Sequence, residues 1–141
     1  MTIQERIKAI AKDMGIAYIY HNWAAVNVEV EQSQLPVMIN VLPVSGGFHL
    51  DGFQLVESCN CMVAFLDKTE FDFKAEDNDT VVGRMKAYAK DFLIRVNDSG
   101  AFETIDLGNV QYQIVYDKLD VCLTGVVLEF QLKELEGDCM I

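Results

Sequence analysis

The sequence predicts an α+β fold, a mainly antiparallel β-sheet of about six strands with two helices packed on one face. Two segments repeat apolar residues at three-and-four spacing, the signature of one-faced helices. Several others alternate apolar with polar residues or run through β-branched ones, as strands do. The strands of the last third are separated by turns too short for a crossover, which makes neighbours antiparallel.

Hydrophobic residues make up 51% of the 141 residues and charged ones 23%, the balance of a packed globule. A chain of this length buries roughly two-thirds of its unfolded surface. A single α+β domain spanning 1–141 is therefore expected, held by its own core without a disulfide framework or structural metal.

The elements follow in order. Thr2 and Glu5 form a capping-box pattern, Ile3, Ile7, Ile10 and Met14 line one helix face, and Gly15 stops the helix. Ala17 to Asn22 reads as a short strand. Val26, Val28 and Val30 then alternate with Asn27, Glu29 and Glu31, Gln32 to Gln34 turns, and Pro36 to Val44 returns with its prolines at its two ends. These predict a long hairpin. Ser45 to Gln54, with Gly46, Gly47 and Gly52, is the most loop-like stretch, and Leu55 to Leu66 resumes strand character.

Acid-rich residues 67 to 79 lead into a second helix expected to be capped at Asp79, where acids suit the positive end of the dipole. Its apolar side carries Val81, Val82, Met85, Tyr88, Ala89, Phe92, Leu93 and Val96, and Asn97-Asp98-Ser99-Gly100 ends it. Phe102 to Leu107, Val110 to Tyr116 and Val121 to Lys133 read as three strands, turning at Gly108-Asn109 and at Asp117 to Asp120, with a bulge at Gly125. Val110, Tyr112, Ile114 and Tyr116 share one face of their strand.

Twenty-two acidic residues against eleven basic ones give a formal net charge of −11. That sign argues against a surface that wraps nucleic acid, because affinity for a polyanion comes from Lys and Arg neutralising phosphates. The two helical segments hold seven of the eleven basic residues, so the strands and loops are almost purely acidic. No apolar run reaches the ~18–20 residues of a membrane helix. The start, Met1-Thr2-Ile3-Gln4-Glu5-Arg6, lacks the pattern of a signal peptide, so reduced thiols in a cytosol are expected for Cys59, Cys61, Cys122 and Cys139. On the same ground Asn78-Asp79-Thr80 and Asn97-Asp98-Ser99 are helix-end and turn chemistry rather than glycan sites.

Candidate chemistry is sparse. Cys59-Asn60-Cys61 places two thiols on one face of a strand, but a zinc site needs four ligands, so the pair reads as two small apolar side chains in a core. His21 and His49 are each a candidate general base, with no G-x-S-x-G or H-E-x-x-H motif beside them. The acidic segment Asp67 to Asp79 contains no glycine, which an EF-hand loop requires at its sixth position. Gly46-Gly47 lacks the Lys-Ser/Thr of a phosphate loop. Trp23, at a strand end, suits either a core or an interface. No catalytic, cofactor-binding or metal-binding residue is assigned; the chain reads as a structural or interaction protein rather than an enzyme.

Three stretches carry a resemblance to a known family. They are Leu35-Pro36-Val37-Met38-Ile39-Asn40-Val41; Met62-Val63-Ala64-Phe65-Leu66-Asp67 leading to Gly83-Arg84-Met85-Lys86-Ala87-Tyr88-Ala89-Lys90-Asp91-Phe92-Leu93; and Tyr116-Asp117-Lys118-Leu119-Asp120 before Thr124-Gly125-Val126-Val127-Leu128-Glu129-Phe130. With the order of elements around them they resemble the tail-terminator and tail-completion (head-tail joining) proteins of long-tailed bacteriophages and prophages. The resemblance implies a non-enzymatic subunit, made in the cytoplasm of a bacterial host and carried in the virion tail. It would form a ring, usually of six copies, that caps the tail tube and contacts other tail or neck proteins. A heterologous ring contact needs two different surfaces, and the candidate subunit interface is the predicted arm: Trp23, Val26, Val28, Val30, Glu29 and Glu31. The alternative is a cytosolic α+β binding module for a small apolar ligand or a protein partner.

Overall fold

A computed structural model describes residues 1–22, 35–69, 75–105, 110–118 and 123–139. In it the capping box at Thr2 starts the first helix, α1 (Ile3–Met14): the Thr2 hydroxyl accepts from the Glu5 N–H at 3.1 Å, and the Glu5 carboxylate accepts from the Thr2 N–H at 3.1 Å. Gly15, at φ 72°, ends the helix in the left-handed region and donates its N–H to the Lys12 carbonyl at 3.0 Å. The buried stripe is Ile3, Ile7, Ile10 and Ala11.

The sheet is built from β1 (Ala17–His21), β2 (Val37–Val41), β3 (Gly46–Asp51), β4 (Gln54–Lys68), β5 (Gln111–Lys118), β6 (Leu123–Lys133) and the two-residue β7 (Asp138–Cys139). The main path runs β1-β2-β4-β6-β5, while β3 and β7 pair with the first part of β4. Among the described residues β1 and β2 pair in parallel and the other pairings are antiparallel. With α2 (Ala75–Asp98) this is the expected α+β class. Among the described residues no helix is long and apolar enough to cross a membrane.

The two helices α1 and α2 of the described residues pack on one face. Ile7 and Ile10 of α1 and Met85, Phe92 and Val96 of α2 join Met38, Val63, Phe65, Val126, Leu128 and Phe130 of the sheet in one cluster. At its centre the Phe92 ring lies between Phe65 and Phe130, with centroids 5.8 Å away on each side and rings tilted by 57° and 59°, the tilted arrangement aromatic pairs favour. A second cluster, of Ile19, Val37, Ile39, Ala64, Leu66, Leu123 and Val127, is buried on the opposite face. Burial on both faces is why Val63-Ala64-Phe65-Leu66 reads as an unbroken apolar run instead of an alternation.

Several expectations are corrected. The second helix begins at Ala75, not after a cap at Asp79; Glu76 and Asp77 occupy its first turn and meet the dipole there, leaving Asp79 exposed in the helix body. Ser45 to Gln54 is not a loop: most of it forms β3, whose residues pair with β4 from Gly46↔Cys59 to Asp51↔Gln54. Gly46 marks a close approach, since a Cβ there would sit 2.6 Å from the Ser58 carbonyl oxygen. Phe102 contributes only a single bridge to Glu134, supported by the Glu103 N–H donating to the Lys133 carbonyl at 2.8 Å, and no strand runs through the described residues 102–105. The irregularity near Gly125 lies on the facing strand, between Val115 and Lys118 of β5. Gly125 is required for another reason: a Cβ there would run into the Phe65 carbonyl of β4. β5 continues through Lys118, where a turn was expected from Asp117. Of the expected long hairpin, the Val26 to Val30 strand and the Gln32 to Gln34 turn lie outside the described residues, and its second strand is β2.

Two substitutions test this packing. Phe92→Ala should lower stability by about 3–5 kcal/mol, as removal of a buried aromatic does. Gly125→Ala should cost about 1–3 kcal/mol by forcing β6 away from β4. Urea unfolding should record both as lower midpoints with little change in slope.

Candidate functional site

Among the described residues, those singled out in the sequence do not gather into one metal-binding cluster. His21 ends β1, half-buried, and its Nδ1 accepts from the Asn22 N–H at 2.9 Å. His49 is exposed on β3, opposite Val56. Gly46-Gly47 is strand backbone. Of the acidic segment, Asp67 pairs with Arg84 at 3.2 Å and residues 70–74 lie outside the described residues. So do all six residues of the candidate interface: Trp23, Val26, Val28, Val30, Glu29 and Glu31.

Cys59 and Cys61 are free thiols buried in the helix-side core, as alternate positions of one strand face should be. Burial pushes the Cys61 thiol well above its ordinary value, with the neighbouring Cys59 adding to the shift. Among the described residues no group of three or more His, Cys, Asp or Glu side chains is placed to hold a metal ion.

The sequence reading missed a buried polar chain beside those thiols. Asn40, 1% exposed, donates through Nδ2 to Gln4 Oε1 at 2.6 Å and to the Tyr18 hydroxyl at 3.1 Å. Gln4 donates its amide N–H to Cys59 Sγ at 3.7 Å. Burial raises the Tyr18 phenol, partly offset by the hydrogen bond from Asn40, and burial beside Cys59 and Cys61 raises Tyr20. The chain ties α1 to β1, β2 and β4, and an amide this deep favours one docking of the helix over others. The signal was an Asn inside the apolar run Met38-Ile39-Asn40-Val41.

Two of the apolar surfaces that face solvent among the described residues differ in charge. One is the β3–β4 hairpin, where Phe48 is 75%, Leu50 58% and Phe53 79% exposed. Residues 42–59 and 134–139, which pair here, contain Asp51, Glu57, Glu134, Glu136 and Asp138 and no Lys or Arg. The other is a groove of about 570 Å³ between α2 and the β5–β6 edge, floored by Val126 and Leu128 and walled by Leu93, Ile94 and Tyr112. Lys86 and Lys90 stand on its wall. The Lys86 ammonium lies 4.8 Å from the Tyr112 ring centroid, a cation–π contact, and neither lysine makes an ion pair among the described residues. Ile114 and Tyr116 extend the exposed apolar strip along β5, whose outer edge pairs with no strand among the described residues. Phe48 and Leu50, at alternate positions, were the legible signal for the first surface, obscured by the three nearby glycines.

No protein-family model matches the chain, and no curated protein matches it.

The buried titrating groups set a pH dependence. Their folded values lie above the unfolded ones, so the stability they contribute is complete below the ordinary values of 9.0 for the thiol and 10.0 for the phenols, and is lost as pH rises beyond them. Urea midpoints should therefore fall between pH 7 and pH 10. Cys61→Ala should make that fall shallower by on the order of 1 kcal/mol; a fall of unchanged size would remove the assignment to Cys61.

Proposed function

We propose that this chain is a non-enzymatic structural subunit of a phage or prophage tail, of the tail-terminator or tail-completion kind, forming a ring at the head-proximal end of the tail tube. The observation that carries the reading is the pair of exposed apolar surfaces of opposite charge, the acidic β3–β4 hairpin and the lysine-walled α2–β5 groove. Exposed apolar area of this kind marks surfaces that another protein covers. Two different surfaces on one chain are what a ring of identical subunits needs, because each copy then offers a donor and an acceptor face.

The α+β fold is compatible with the resemblance carried by the stretches 35–41, 62–67, 83–93, 116–120 and 124–130. Most of those residues lie in β2, β4, α2, β5 and β6, the framework that holds the two surfaces apart. The acidic balance, −11 over the chain, suits a collar that repels DNA from its wall while a duplex passes.

The expected outcome is a virion protein. Peptides of this chain should be found by mass spectrometry in purified particles from the cells that carry the gene, in several copies per particle. Cells lacking the gene should yield heads and tails that do not join. Normal virions from such cells, or particles devoid of the chain, would sink the reading.

A further inference from the structure

We infer that the β3–β4 hairpin tip of one copy of this chain docks into the α2–β5 groove of the next, an acidic apolar finger in a basic apolar groove. The inference rests on the reading of the chain as a self-assembling subunit and names the two faces that meet.

Chemistry selects the pairing. The groove offers apolar walls for side chains and two ammonium groups without carboxylate partners among the described residues. The hairpin offers Phe48, Leu50 and Phe53 beside Asp51 and Glu57, with three more carboxylates at Glu134, Glu136 and Asp138. Phe48 lies opposite Glu57 in the ladder, so an aromatic ring and a carboxylate leave the same face of the hairpin side by side. A finger of that pattern meets the groove with its ring among Leu93, Ile94 and Tyr112 and its carboxylate toward Lys86 or Lys90.

The symmetric alternatives are disfavoured by the same charges. Hairpin against hairpin would set five carboxylates against five, and groove against groove would set lysines against lysines, and like charges brought together cost several kcal/mol across an interface. The occupant is not the chain's own hairpin either. The tip lies at Gly52 and Phe53, whereas the groove floor at Leu128 is level with Val63 of β4. Ten residues of extended strand separate Phe53 from Val63, a span of about 33 Å at ~3.3 Å per residue. The finger points away from its own groove and is free for a neighbour's. A contact between two different faces closes into a ring when its rotation divides a full turn, and otherwise runs on as a filament.

Mixing variants tests this directly. A hairpin variant, Phe48→Ser with Phe53→Ser, and a groove variant, Lys86→Glu with Lys90→Glu, change solvent-facing side chains and should keep the wild-type circular dichroism and melting curve. Wild-type chain at millimolar concentration should associate in sedimentation velocity and native mass spectrometry. Each variant alone should lose at least about tenfold in affinity, as loss of a central interface anchor does. An equimolar mixture should form a heterodimer that grows no further, because one intact hairpin and one intact groove remain between the two chains. A monomeric wild type, a folded variant that assembles like wild type, a mixture that stays monomeric, or a small amphipathic molecule found by native mass spectrometry in the groove of a monomer would each overturn the inference. If wild type and both variants all form the same closed oligomer, the contact is wrong while the ring reading stands. If the heterodimer forms but the chain is missing from virions, the contact stands and the tail reading falls.

Discussion

The pairing of β4 along both of its edges is the constraint on which the rest of this structure depends. Its fifteen residues take β2 and β3 on one side and β6 and β7 on the other, so four of the six strand pairings among the described residues involve it. Val63 and Phe65 face the helices while Ala64 and Leu66 face the second buried cluster. A slip of one residue would exchange those sets and withdraw Phe65 from its stack with Phe92. The docking of α1 depends on the same register, because Gln4 reaches both Asn40 of β2 and Cys59 of β4.

The same strand gives the exposed surfaces their stiffness. Its second half is buried among β2, β6 and α2, while its first residues carry β3 outward to the turn at Gly52. Phe48 and Leu50 are therefore displayed on a ladder continuous with the core instead of on an untethered loop. A surface held in its binding shape loses less conformational freedom on association, so more of its apolar contact appears as affinity. The groove is equally fixed, since its floor is β6 and one wall is the stripe of α2 that follows directly from the buried Ala89 and Leu93.

What the sequence made legible divides along physical lines. The first helix was readable to the residue because its signals are local: a capping box, a one-faced stripe and a glycine stop. The α+β class followed from periodicity, which survives tertiary packing, and the antiparallel bias from turns too short for a crossover. The start of α2 was misplaced because acidic residues serve equally well as caps and as first-turn residues, and Asp79 and Glu76 differ only in position. β3 was hidden because glycine is punctuation in most contexts, whereas Gly46 is there to let two backbones approach. The parallel β1–β2 pair and the Asn40 chain are products of long-range assembly and have no local signature beyond a polar residue in an apolar run. The arm expected at Trp23 to Glu31 lies outside the described residues, and the two exposed surfaces come from a glycine-rich stretch that reads as a loop and from the seam between the second helix and a sheet face.

Charge arranges these surfaces in order of distance. At separations beyond about 8 Å in physiological salt, two copies carrying −11 each are largely screened from one another. Inside that range the local pattern takes over, and the proposed hairpin-to-groove contact is one that sets lysines against carboxylates. Most of the cations of this acidic chain lie on helices, and two of them, Lys86 and Lys90, have no carboxylate partner among the described residues and stand at an apolar wall, a local pattern that composition alone would hide. Exposed aromatic side chains at 75% and 79% would be an aggregation hazard on a neutral surface. The five carboxylates around them repel other acidic surfaces, and on the proposed contact the same charges would favour a basic face, turning the hazard into selectivity.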